Sequence, residues 1–243
     1  MHLVTDMSPH VTTNALRHPR AGPRVACMGN LGVVITLIVR LYDNGALGHE
    51  DRAVAVATAS EILLASNIPT TWPECRPGDA APGRPRPPWP PSSPAAACER
   101  PMDPGEVAVR IVRGVTAPRT SAPRTAHQHD LSLGYSLIDP ETRGGALATI
   151  YLDRVEWVEW NSGADPRVVL GRAIAHEIGH LLLGSNKHAG AGLMRAVWSR
   201  QALERDHAAD WLFTIGEGEA MLRPLARRTP AIQRAGSAAM GTK

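Results

Sequence analysis

Asp165, Pro166 and Gly184 bracket the stretch that most constrains this chain. An aspartate can cap the free N–H groups that open a helix. Proline suits the first helical position, where its missing N–H would have had no partner, and glycine takes the left-handed conformation that ends a helix. The spacing predicts a helix over 166–183. Leu170, Ile174, Ile178 and Leu181 form one apolar ridge along it, and Val169, Ala173, His176 and His180 mark a second face. The two histidines therefore share one side of the helix, four residues apart.

Residues 176–180 read HEIGH. At this spacing two imidazoles start from Cβ atoms about 5–6 Å apart and can grip one Zn2+. Glu177 stands beside them, where a carboxylate can take a proton from a metal-activated water and later hand it to a leaving amine. Given how many histidines and glutamates the chain contains, the pattern would arise by chance about 2% of the time. Chance placement on a capped, amphipathic helix is rarer still.

A catalytic zinc wants three protein ligands, and the leading candidate for the third is His188. Were the helix to continue, His188 would lie about 12 Å beyond His180 along the axis and could not reach the metal. A left-handed turn at Gly184 changes this, because Ser185, Asn186 and Lys187 can then bring His188 back. Glu204, Asp206, His207 and Asp210 are the rivals, 24 to 30 residues past His180. Each also reads as part of a solvated helix face.

The run HEIGHLLLGSNKHAGAGLM, residues 176–194, resembles the metzincin metallopeptidases, whose active helix ends at a glycine, supplies a third histidine and is followed by a methionine turn. The resemblance implies His176, His180 and His188 as zinc ligands, Glu177 as general base, Gly184 as the turn and Met194 beneath the metal. This chain reads HExxHxxxGxxxH where the usual pattern is HExxHxxGxxH, so its loop is two residues longer. In that family a mixed sheet precedes the active helix and its antiparallel edge strand binds the peptide substrate. Residues 147–155 hold that place in the order, and residues 31–198 correspond to the family's N-terminal subdomain. The function implied is zinc-dependent hydrolysis of peptide bonds, a metalloendopeptidase activity on a peptide or protein substrate. The alternatives are a gluzincin-like or regulatory HExxH protease with Glu204 or Asp206 on zinc, and a non-catalytic zinc-containing binding protein. No tyrosine follows Met194, so zinc and backbone donors would have to stabilise an oxyanion.

Elsewhere the pattern predicts an α+β fold, a mixed sheet packed on a long N-terminal helix and the active-site helix, with a small C-terminal helical subdomain. Residues 1–30 read as a flexible leader, 31–232 as a single domain and 233–243 as a disordered tail. Strands are expected over 31–42, 106–112, 133–138 and 146–155, helices over 50–66, 201–210 and 216–228. Ten of the 21 prolines fall in 77–104, a surface insertion bracketed by Cys75 and Cys98, which are placed to staple it. No CxxC pair is present, which argues against a cysteine zinc site. The possible disulfide and the family resemblance favour a secreted or periplasmic location.

Charge and hydropathy exclude other classes. Lys plus Arg number 26 against 23 for Asp plus Glu, too even a balance for a nucleic-acid partner. The longest apolar run, 31–39, is far short of the roughly 20 residues of a spanning helix, so no transmembrane anchor is expected and the run reads as a buried first strand. A monomer is expected. His127 and His129 form an HxH pair in a Pro- and Thr-rich loop, weak support for a second metal.

Overall fold

Leu37–Tyr42 (β1) sends Leu37, Val39 and Leu41 into the core, as a β-branched, aliphatic strand should, and Arg40 on its other face is buried too. In this computed structural model the described residues are 35–73, 75, 98, 100–114 and 132–228. The expected leader, the tail, most of the proline-rich insertion and the HxH pair lie outside them. After β1 come α1 (His49–Ala65), β2 (Thr70–Thr71), β3 (Glu106–Val112), β4 (Gly134–Asp139), β5 (Gly144–Tyr151), α2 (Leu152–Ser162), α3 (Pro166–Leu183), α4 (Arg200–Arg205), a 3-10 turn at Ala208–Trp211 and α5 (Ile215–Arg228).

The fold is α+β, with a mixed five-stranded sheet in the order β2-β1-β3-β5-β4. β1 pairs in parallel with β2 and β3, β3 in parallel with β5, and β4 alone is antiparallel, at the edge beside β5. Helix α3 packs on α1, β5, β4 and α5. Its ridge of Leu170, Ile174, Ile178 and Leu181 is fully buried, each side chain contributing about 1.5–3 kcal/mol of apolar burial. Because α3 is buried along nearly its whole length, its polar residues must be satisfied inside the protein.

Three expectations are corrected. The strand expected to run to Val155 stops at Tyr151, and α2 begins at Leu152. Leu152 and Val155 are both buried at a spacing of three, a helical period, and Gly163 at φ +70° ends that helix. Residues 147–155 are also not the edge: β5 is flanked by β3 and β4, so the antiparallel edge strand is β4. The polar stretch 201–210 divides between α4 and the 3-10 turn, broken by Asp206 at φ +46°. Cys75 and Cys98 are joined as a disulfide, and no described helix is long and apolar enough to cross a membrane.

Candidate metal centre

Helix α3 opens as its sequence requires. Asp165 accepts a hydrogen bond from the Arg167 N–H, and Pro166 occupies the first turn. It ends at Gly184, at φ +61°, with the Gly184 N–H donating to the His180 carbonyl. A side chain at Gly184 would also run into the Arg143 carbonyl of the β4–β5 hairpin, so both the backbone angle and the space demand glycine. The Ser185 N–H reaches the same His180 carbonyl, and the chain turns back on α3.

This reversal brings His188 to the helical histidines. Its ring centroid is 4.9 Å from His180 and 5.4 Å from His176, and the ligating nitrogens of the three lie within 4.8 Å of one another. Among the described residues this is the one group of three or more His, Cys, Asp or Glu side chains able to hold a metal. His176 and His180 are buried, and His188 is exposed. The longer loop of this chain thus still delivers a third imidazole.

Protons decide what these rings can do. His176 Nδ1 donates to the Leu193 carbonyl at 2.9 Å and His180 Nδ1 to the Ser185 carbonyl at 2.7 Å, since a carbonyl oxygen can only accept. In a neutral ring the lone pair then sits on Nε2, and the two Nε2 atoms are 3.1 Å apart. With no proton to share, they repel unless a cation lies between them. Two nitrogens bound to one tetrahedral zinc stand about 3.3 Å apart, so the donor set fits that ion. Burial pushes the His176 pKa down to about 3, with the neighbouring His180 adding to the effect. Burial also lowers His180 and His188, which favours the neutral, ligating form of all three.

Glu177 projects toward the edge strand. Ser136 of β4 places its hydroxyl 2.7 Å from Glu177 Oε2 and 2.8 Å from the Glu177 backbone carbonyl. Burial raises the Glu177 pKa to about 7, and the Ser136 hydrogen bond works against it, lowering it. A carboxyl poised there exchanges protons readily near neutral pH. Met194 is 1% exposed and lies against Gly179, where an added Cβ would come within 2.7 Å of its sulfur. Leu193, one residue before it, supplies the carbonyl that orients His176. The Trp198 ring meets His176 edge-on at 5.8 Å and Trp211 at 5.2 Å, walling the centre on that side.

The rival ligands are held elsewhere. Glu204 pairs with Arg200 at 2.6 Å, Asp206 with Arg172, and Asp210 with Arg195 at 4.0 Å, while His207 is exposed outside the cluster. Ser136 escaped the sequence reading because a lone serine in a short strand carries no pattern. The Leu193 and Ser185 carbonyls escaped it because any residue could supply them.

Compared with solved structures, the chain resembles a zinc-dependent peptidase from Methanocorpusculum labreanum, at 14% identity over 75% of this chain and 99% of that one, with a TM-score of 0.46. It also resembles an archaemetzincin from Methanopyrus kandleri, at 16% identity over 82% of this chain and 100% of that one, again with a TM-score of 0.46. No family model and no curated protein matches the sequence. What the centre can do is therefore carried by its own residues.

Proposed function

We propose that this protein is a zinc-dependent peptidase, with His176, His180 and His188 as the metal ligands and Glu177 as the general base. The observation that carries this reading is the meeting of two Nε2 lone pairs 3.1 Å apart, each ring already anchored through Nδ1, with a third imidazole alongside. Three protein ligands with an exposed member leave one position open, which suits catalysis better than a closed structural site. Zinc, when bound, supplies a Lewis acid that acidifies water and polarises a substrate carbonyl.

The chain's own residues do the rest. The Leu193 and Ser185 carbonyls fix the tautomer and aim of the two helical histidines. Glu177 takes the proton of the attacking water on its carboxylate and returns it to the leaving nitrogen, while Ser136 holds the carboxylate in place. The outer edge of β4, which pairs with no other described strand, offers its backbone to an extended peptide, the role expected earlier of residues 147–155. Met194 and Gly179 form the packed floor that the methionine turn supplies in metzincins. The disulfide between Cys75 and Cys98 favours an oxidising, extracytoplasmic setting.

The test is zinc content and peptide cleavage of wild type beside His188→Ala, after dialysis against metal-free buffer at neutral pH. One zinc per wild-type chain, cleavage of a peptide substrate and strong loss of both in the variant are expected. A variant that keeps its zinc removes His188 from the ligand set, and a zinc-loaded wild type that cleaves no peptide overturns the peptidase reading.

A further inference from the structure

Between β4, the β4–β5 turn and α5 lies a groove of about 740 Å3. Its walls include Leu137 and Asp139 of β4, Arg143 of the β4–β5 turn, and Pro224, Arg227 and Arg228 of α5. Three links tie it to the centre. Leu137 follows Ser136, whose hydroxyl meets Glu177. The Arg143 carbonyl packs on Gly184, the turn that brings His188 back. Arg228 donates to the Gly145 carbonyl at 2.9 Å and to the Leu181 carbonyl at 3.2 Å, and Leu181 adjoins His180.

The charge of this groove is lopsided. Three guanidinium groups line it against the single carboxylate of Asp139, which is itself engaged by the Glu141 and Thr142 N–H groups and the Thr142 hydroxyl. Arg228 is committed to backbone carbonyls, so its donors serve the fold while its charge remains. Arg143 and Arg227 are exposed and have no ion-pair partner among the described residues. Leu137 is 54% exposed on the same strand, giving the groove an apolar rim against which a side-chain stem can lie.

From this placement we infer that the groove receives a carboxylate side chain of the peptide substrate, selected by Arg143 and Arg227. The inference rests on the peptidase reading and on β4 as the strand a substrate pairs with. Along an extended chain the step from Ser136 to Asp139 is about 10 Å, so the selected residue sits about three positions from the bond that is cut. The substrate class is thus a peptide or protein with Asp or Glu at that distance from the scissile bond.

The test scans one Glu-for-Gln exchange through each position of a peptide that the zinc-loaded enzyme cleaves, from four residues before the bond to four after it. Wild type should prefer Glu about threefold to fivefold in kcat/KM at one position two to four residues away, an advantage that shrinks as salt rises. Arg227→Glu should abolish that preference and turn it toward Lys at the same position. Arg143→Asn is the second variant, because asparagine tolerates the φ of +50° that Arg143 adopts, and it should weaken the preference without reversing it. An extended nine-residue peptide carrying the same Glu-for-Gln exchange at each position in turn, chosen without regard to cleavage, is titrated by fluorescence anisotropy onto zinc-loaded Glu177→Gln protein. Tighter binding of the Glu peptide there supports the groove even if wild type cleaves nothing, an outcome that would overturn the peptidase reading alone. Equal handling of Glu and Gln at every position, or a preference that survives Arg227→Glu, overturns the inference.

Discussion

The Ser136 hydroxyl lies within hydrogen-bond distance of both ends of Glu177, its Oε2 at 2.7 Å and its backbone carbonyl at 2.8 Å. One hydroxyl has one proton, so it donates to the carboxylate or to the carbonyl. The contact ties the edge strand to α3 at the residue proposed to move protons. Ser136→Ala should lower kcat about tenfold to a hundredfold, the worth of a hydrogen bond to a buried charged group, with zinc content unchanged. Because Ser136 holds the Glu177 pKa down, its removal should also move the acid limb of the pH–rate profile to higher pH. An unmoved limb would reduce Ser136 to a packing role.

Glu177→Gln keeps the shape and the Ser136 contact and removes the proton acceptor. Cleavage should fall about a hundredfold to ten-thousandfold while one zinc per chain remains bound. Steady-state kinetics beside metal analysis separates this from loss of the site.

The same substitution has a signature in the zinc-free protein. The Glu177 carboxyl is raised from 4.5 to about 7 by burial, so the folded state holds a proton that the unfolded state gives up. Its contribution is therefore intact below about pH 4.5 and is lost as pH rises through about 7. Apo Glu177→Gln should be more stable than apo wild type at pH 8 by on the order of 3 kcal/mol, with the difference vanishing toward pH 4.5. Denaturant melts at both pH values check this; a constant difference would contradict it.

Gly184→Ala should impair folding of the turn and zinc retention together. The left-handed angle of +61° adds about 1–2 kcal/mol of strain for a residue with a Cβ, and the Arg143 carbonyl leaves no room for one. Gly184→Asn tolerates the angle but not the contact. Thermal melts and zinc affinity should therefore show both variants impaired, whereas rescue by asparagine would mean that the backbone angle alone matters.

Removing the disulfide with a Cys75→Ser, Cys98→Ser pair frees a link across 23 residues of sequence. Stability should drop by about 3 kcal/mol through the entropy returned to the unfolded chain. Zinc content at 25 °C should be unchanged, because neither cysteine belongs to the metal group.

Much of the centre is legible in the chain order. Helix α3 could be read to the residue from Asp165, Pro166 and Gly184, because caps act within a few bonds. The strand–helix boundary at Leu152 is hidden because ALATIY continues into LDRV without a breaker, although Leu152 and Val155 already carry the helical spacing. The edge position is not legible, because chain order does not say that β5 inserts between β3 and β4, leaving the earlier strand of the hairpin outermost.

Local chemistry marked the residues proposed to bind a metal and move a proton: the i, i+4 histidines, the glutamate between them and the glycine that ends their helix. The tertiary structure alone decided how they are held. Ser136, the Leu193 carbonyl and the arginines of the groove come from strands, turns and helices far apart in sequence, and no periodicity records which of them will touch. Caps and spacings are short-range and are written in the order of the residues, whereas the aim of a buried side chain exists only once the core has closed around it.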